Sequence, residues 1–229
     1  MRKYKGIVSI IIMLVLCFSL QATTTNESEL EKKYNASLGV IVSYSDVEKT
    51  NVIHAGSGFY IGNGLFITTG TYTLDAKKIE YYPLSGESPL ELAGVVKYDE
   101  EQDFAILKGK EIPELNALPI GDNKNIKLGA KVRLIGTDSD GKLKCVDTII
   151  NKYTKADGRV NILVKAEIPN SLCGGPMLDA KGNVIAMNYV SYKEMNLCMG
   201  IDAIKASCSY LLKQPFEKIY CIEMPTKQS

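Results

Sequence analysis

The chain has 229 residues, an apolar content of 45% and a formal net charge of +1, from 27 basic against 26 acidic residues. This length is enough for one sizeable domain or two small barrels, and the balanced charge argues against a nucleic-acid partner or an acidic disordered tail. With one histidine and scattered cysteines, the sequence lacks the ligand spacing of a metal site, so neither a metal nor another cofactor is expected.

The N-terminus predicts a targeting segment. Arg2, Lys3 and Lys5 precede about fourteen mostly apolar residues, a run too short for a membrane span but typical of a secretory signal peptide. We predict a signal peptide over residues 1–22 and a polar lead-in over 23–37. An uncleaved anchor and a lipoprotein signal ending at Cys17 are the alternatives. Export would make the mature chain secreted or periplasmic, without membrane contact after signal removal.

Short apolar runs separated by turn residues come next along the chain, and they predict about a dozen strands. The predicted strands are 38–44, 58–61, 65–68, 78–82, 92–98, 104–107, 131–135, 142–150, 160–164, 177–178, 184–190 and 197–201. This spacing is typical of an all-β barrel or sandwich. Gly62-Asn63-Gly64 predicts a hairpin turn, residues 109–122 a crossover, and residues 203–213 the one amphipathic helix, which Pro215 ends.

Three segments in chain order resemble the HtrA (Deg) branch of the trypsin-like serine proteases. They are Gly-Ser-Gly-Phe-Tyr-Ile with the strand that follows it (56–71), Tyr-Asp-Glu-Glu-Gln-Asp-Phe-Ala-Ile-Leu (98–107), and Asn-Ser-Leu-Cys-Gly-Gly-Pro-Met-Leu with its continuation (170–188). The resemblance covers about residues 38–213.

This resemblance implies an all-β fold of two six-stranded antiparallel β-barrels with a short C-terminal helix. The expected peptidase domain is 38–214, with barrel one at about 38–110 and barrel two at about 118–204. The tail, 215–229, resembles only the start of the family's usual binding domain, so that domain is not expected here.

The same alignment implies a degenerate catalytic triad. Cys173 lies at the nucleophile position, Asp103 at the position of the orienting carboxylate and Thr71 at the position of the base, with Tyr72 as the alternative when the alignment slides by one residue. Threonine does not titrate and tyrosine titrates near 10, so neither can accept a proton near pH 7.

The oxyanion loop and the specificity pocket are also implied by the resemblance. Ser171 replaces a glycine that normally lets the loop turn a backbone N–H inward. The residues aligned with the oxyanion loop are Ser171, Leu172 and Cys173, and those aligned with the strand that flanks the pocket are Asn188, Tyr189 and Val190. Bulky residues at 189 and 190 would narrow that pocket.

These substitutions predict an exported, catalytically impaired pseudoprotease. Loss of the base from a serine protease costs a factor of about 10⁶ in turnover, although an isolated thiol is a few per cent ionised at neutral pH. The cleft between the barrels would then remain as a binding surface for a peptide or protein. The oligomeric state stays open.

Two alternatives remain. The chain could be an active endopeptidase, with Cys173 as nucleophile and either His54 or a partner-supplied group as base. Cys173 could instead form a structural disulfide, for example with Cys198. After signal removal the chain keeps five cysteines whose connectivity the sequence does not give: Cys145, Cys173, Cys198, Cys208 and Cys221.

Overall fold

The computed structural model describes residues 32, 34, 37–84, 86, 88–110, 116–123, 126–138, 140–156, 159–166, 169–192 and 195–227. The predicted signal peptide and nearly all of the predicted lead-in lie outside these residues. The chain divides into units of residues 1–34 and 35–229, and the second unit contains all the predicted strands. None of the described helices has the length and apolar character needed to cross a membrane.

The first half of this second unit forms an antiparallel sheet of seven strands. They are β1 (Leu38–Tyr44), β2 (Val52–Gly62), β3 (Leu65–Thr69), β4 (Lys78–Pro83), β5 (Leu90–Leu92), β6 (Gly94–Asp99) and β7 (Phe104–Lys108), in the order β5-β4-β1-β2-β3-β7-β6. The sheet curves around a core that includes Ile41, Phe66 and Tyr81. Asn63 and Gly64 join β2 to β3 with φ values of 51° and 68°, as a two-residue hairpin turn with positive φ at both positions requires.

The second half forms a closed barrel of six strands. They are β8 (Lys131–Thr137), β9 (Leu143–Ala156), β10 (Arg159–Lys165), β11 (Pro176–Leu178), β12 (Val184–Tyr192) and β13 (Met195–Gly200), in the closed order β10-β13-β12-β11-β8-β9. Leu134, Ile162 and Met177 are fully buried inside it. Helix α1 (Asp202–Leu211) follows β13 and buries Ile204 and Cys208.

The all-β, two-barrel fold with a short C-terminal helix is therefore confirmed. The predicted run 92–98 divides at Ala93, where the chain bends through Gly94 at a φ of 145°. The bend allows the residues before it to pair with β4 as strand β5, and the residues after it to pair with β7 as strand β6. The first sheet therefore has seven strands. The helix begins one residue earlier and ends two residues earlier than the predicted range 203–213.

The C-terminal tail packs on the first sheet. Ile219 is only 2% exposed, the Ile222 amide donates to the Val95 carbonyl at 2.7 Å, and the Asp75 amide donates to the Pro225 carbonyl at 2.9 Å. These contacts join the tail to the edge strand β6 and to the turn that precedes β4. The tail is therefore part of the same packed unit as the peptidase domain.

Candidate functional site

The candidate site lies where β2, the end of β3, the start of β7 and the loop before β11 meet. A 3-10 turn, Gly70–Thr73, follows β3. The Asp103 carboxylate caps this turn, because its Oδ1 accepts hydrogen bonds from the Thr71 amide at 2.5 Å and from the Thr71 hydroxyl at 2.8 Å. The Gly70 amide also donates to the Asp103 carbonyl at 2.9 Å. Asp103 thus orients the turn that carries Thr71 and Tyr72.

Tyr72 is the residue of this turn that reaches Cys173. Its hydroxyl is close enough to the Cys173 thiol for each group to shift the pKa of the other. Its ring lies over Gly56, where an added Cβ would come within 2.1–2.7 Å of three ring and hydroxyl atoms. The missing side chain at position 56 therefore makes room for the phenol, while Thr71 is held on Asp103. Of the two residues considered for the base position, one contacts the carboxylate and the other contacts the thiol.

The Cys173 thiol is protonated at neutral pH. Burial raises its pKa to about 11; the hydrogen bond from Tyr72 opposes this rise, and the charge of Asp103 adds to it. At pH 7 about one thiol in 10⁴ is then ionised. The few per cent expected of an isolated thiol does not apply to Cys173, because its side chain is removed from water. Burial, with the charges of Cys173 and Asp103, also raises the pKa of Tyr72.

The loop aligned with the oxyanion hole directs its polar groups into the protein. Asn170–Leu172 forms a 3-10 turn, and the Cys173 amide donates to the Asn170 carbonyl at 3.0 Å. The Ser171 carbonyl accepts a hydrogen bond from the Ser57 hydroxyl at 2.6 Å. Oxyanion stabilisation needs backbone donors aimed at the substrate, and in this conformation the Cys173 N–H is already bonded within the loop.

Ser57 holds the loop in this conformation. It is fully buried. Its hydroxyl donates to the Ser171 carbonyl and accepts from the Thr137 amide of β8 at 2.8 Å, and its own amide donates to the Cys173 carbonyl at 3.0 Å. Ser57 thus joins both barrels to the candidate site. The sequence signal was a small polar residue between two glycines, and it did not indicate this role.

The three residues aligned with the pocket strand have different environments. Asn188 is fully buried, and its side-chain amide donates to the Ile135 carbonyl at 3.1 Å, so the backbone and not the pocket uses that group. Tyr189 is half-buried; burial raises its pKa, as do the charges of Asp103 and Cys173. Val190 is 43% exposed.

His54 lies on β2, opposite Ser43. Its ring centroid is 6.2 Å from that of Tyr72, and within the described part of the chain no hydrogen bond joins His54 to Cys173. Cys173 and Cys198 are not joined to each other, so the alternative disulfide between them is not formed here. The described residues contain no group of three or more His, Cys, Asp or Glu residues placed to hold a metal ion.

Comparisons with known proteins identify the family and the fold of this chain. A family model described as "Trypsin-like peptidase domain" matches residues 56–187. Relatives include the "Anti-sigma-I factor RsgI9" of Acetivibrio thermocellus, 30% identical over 183 residues, which are 79% of this chain and 26% of that protein. Another is the "Probable periplasmic serine endoprotease DegP-like" of Rickettsia prowazekii, 26% identical over 182 residues, which are 72% of this chain and 34% of that protein.

The chain thus spans only about a quarter to a third of the length of these curated relatives. Among solved structures, the active form of the Rv3671c protease of M. tuberculosis superposes with a TM-score of 0.66 at 21% identity and covers 86% of both chains. That similarity supports the two-barrel fold.

Proposed function

This chain belongs to the trypsin-like peptidase family, on its HtrA-like branch, and we propose that it is a catalytically impaired member that binds a peptide or protein segment in the cleft between its barrels. One observation carries the proposal. The side chain of the 70–73 turn that acts on the thiol at the nucleophile position is the phenol of Tyr72, where an active site of this kind needs an imidazole.

Three requirements of acyl transfer bear on this proposal. The nucleophile must be ionised, yet burial keeps the Cys173 thiol protonated. A base must accept its proton and pass it to the leaving amine, yet the pKa of Tyr72 is raised above the ordinary value of 10. Oxyanion donors must face the substrate, yet the Cys173 amide is bonded to the Asn170 carbonyl. Together these features support very slow peptide hydrolysis.

The cleft retains features suited to binding. Beyond Asn188, β12 pairs with β13 on one side, while on the other side β11 begins at Pro176, which pairs with Met187, and pairs with β12 no further along the chain. Within the described strands, the second edge of β12 at residues 189–192 is therefore open. Such an edge can accept the backbone of an extended peptide as an added strand. This supports retention of a peptide-binding surface without hydrolysis.

The names of the relatives support two further parts of the proposal. The relative from Acetivibrio thermocellus is named as an anti-sigma factor and not as a peptidase. This name supports the first part, a role in binding without hydrolysis. The relative from Rickettsia prowazekii is named as periplasmic. With the predicted signal peptide over residues 1–22, the second name supports export of this chain to a secreted or periplasmic location.

Hydrolysis of a mixed peptide library tests the proposal. We expect the purified protein and its Cys173→Ala variant to leave the library equally intact, as measured by mass spectrometry. The alternative, an endopeptidase with Cys173 as nucleophile, predicts cleavage that disappears in the variant and is inhibited by iodoacetamide. Cleavage that depends on Cys173 would overturn the pseudoprotease assignment. A His54→Ala variant would then show whether that imidazole acts as the base.

A further inference from the structure

We propose that the centre of the cleft, where the Asp103 carboxylate lies among tyrosine side chains, binds the cationic side chain of an arginine or lysine in a partner peptide. This inference rests on the proposed peptide-binding function and adds the chemistry of the recognised side chain. The described tyrosines concerned are Tyr72, Tyr98 and Tyr189.

The first support is an unused carboxylate oxygen. Both hydrogen bonds from Thr71 go to Oδ1 of Asp103, and no hydrogen bond from the described residues reaches Oδ2. In active relatives, as the resemblance implies, this carboxylate orients an imidazole, and here the aligned threonine is too short to replace it. A half-buried carboxylate with a free oxygen is a strong acceptor for an ammonium or guanidinium group.

The second support is the aromatic surroundings. An added Cβ at Gly70 would lie 2.9 Å from Asp103 Oδ1 and 3.0 Å from Tyr98 Cε2, so this ring and the carboxylate are neighbours. Tyr189 follows Asn188, whose carbonyl accepts the Gly174 amide at 2.8 Å, so it lies beside the loop of Cys173. Electron-rich faces of tyrosine attract cations, and the attraction grows when water is excluded.

The pKa shifts of two tyrosines also indicate that they lie near the Asp103 carboxylate. Burial raises the pKa of Tyr98 and of Tyr189, and in both cases the charge of Asp103 is the next cause. The carboxylate therefore acts electrostatically on rings from two different strands, β6 of the first sheet and β12 of the second barrel. A cation bound by this carboxylate would therefore lie within electrostatic reach of groups from both barrels.

The third support is local charge. The β6–β7 turn reads Tyr-Asp-Glu-Glu-Gln-Asp over residues 98–103, with four carboxylates in six residues, and the neighbouring Cys173 is neutral at pH 7. The site is therefore negative in a chain that is nearly neutral as a whole. Such a field attracts basic peptides and repels acidic ones, and salt weakens it.

Capture of degenerate seven-residue peptides on the immobilised protein tests this inference. The central residue is arginine in one library, citrulline in a second and glutamate in a third, because citrulline keeps the shape of arginine without its charge. We expect about tenfold greater capture of the arginine library than of the citrulline library at 50 mM salt, measured by mass spectrometry, and a smaller ratio at 500 mM.

Two variants locate the site, and a third is the control. Asp103→Asn keeps a side chain that can cap the 70–73 turn but removes the charge, so the arginine preference should fall to near unity. Tyr189→Ala should reduce the preference several-fold while leaving the bonds between Asp103 and Thr71 in place. Asp140→Asn, in an exposed turn of the second barrel, should keep the wild-type ratio.

The outcomes separate the cation site from the peptide-binding function on which it rests. Equal capture of arginine and citrulline peptides would overturn the cation site and leave peptide binding intact. An arginine preference that survives Asp103→Asn would place the cation elsewhere and overturn the assignment. Capture of none of the libraries would overturn the peptide-binding function itself. Thermal unfolding of each variant confirms that the protein tested is folded.

Discussion

Replacing Ser57 by alanine should destabilise the whole peptidase unit and loosen the loop of Cys173. The hydroxyl is fully buried and serves two backbone groups, the Ser171 carbonyl at 2.6 Å and the Thr137 amide at 2.8 Å. The β8 strand and the 170–175 loop surround it, since an added Cβ at Gly136 would lie 2.6 Å from the Ser57 hydroxyl. Alanine at position 57 therefore leaves both backbone groups without a partner, in a place with little room for water.

The magnitude depends on these two groups. A buried polar group left without its hydrogen bond costs about 1–3 kcal/mol, and two that share one lost partner together cost roughly 2–4 kcal/mol. For a unit of this size, each kcal/mol lowers the melting temperature by about 2–4 °C. The melting temperature should therefore fall by roughly 5–12 °C. The corresponding loss of roughly 2–4 kcal/mol is a large part of the free energy of unfolding of an ordinary domain.

Urea denaturation and amide hydrogen exchange measure the two effects. The control is Ser209→Ala, which removes an exposed hydroxyl bonded to the Lys205 carbonyl of α1 at 2.7 Å and should change the free energy of unfolding by less than about 0.5 kcal/mol. Faster exchange at Cys173 and Thr137 should accompany the Ser57→Ala destabilisation. A Ser57→Ala loss no larger than that of the control would refute the view that Ser57 couples the barrels to the loop.

Two other substitutions test the environment of the thiol and the attachment of the tail. Tyr72→Phe removes a hydrogen bond that lowers the pKa of Cys173, so that pKa should rise above about 11 and the rate of iodoacetamide labelling at pH 8 should fall about tenfold. Tyr189→Phe, which leaves that bond intact, is the matched control, and an equal rate in wild type and Tyr72→Phe would contradict the assigned bond. Ile219→Ala should cost about 2–4 kcal/mol in urea denaturation because its side chain is only 2% exposed, whereas Ile222→Ala, at 47% exposure, should cost under about 1 kcal/mol. Equal losses would show that the tail does not depend on the burial of Ile219.

Much of the fold could be predicted because its signals are local. A short apolar run rich in β-branched residues predicted β1 at its observed bounds, 38–44, and Gly62-Asn63-Gly64 predicted the hairpin between β2 and β3. The division of 92–98 into β5 and β6 was missed because it depends on pairing with two distant strands, β4 and β7. The 3-10 turn at 70–73 was missed because the Asp103 carboxylate, far along the chain, caps it.

The candidate site was predicted only in part. The alignment brought Cys173, Asp103 and Thr71 into consideration, and their catalytic roles remain predictions. The alignment left open whether Thr71 or Tyr72 stands at the base position. In the folded turn, Thr71 bonds to Asp103, while the phenol of Tyr72 acts on the Cys173 thiol. Asn188 matched the pocket strand, yet its side chain is used inside the barrel.

The sequence by itself determined the order of the segments, the two-barrel family and the identity of the residues at the aligned positions, because these depend on residue type and spacing along the chain. The tertiary structure alone decided which groups surround Cys173 and whether its thiol is ionised. Burial, the phenol of Tyr72 and the carboxylate of Asp103 set that protonation state together. Their effects depend on distances through space, which the chain acquires only when both barrels close around the site.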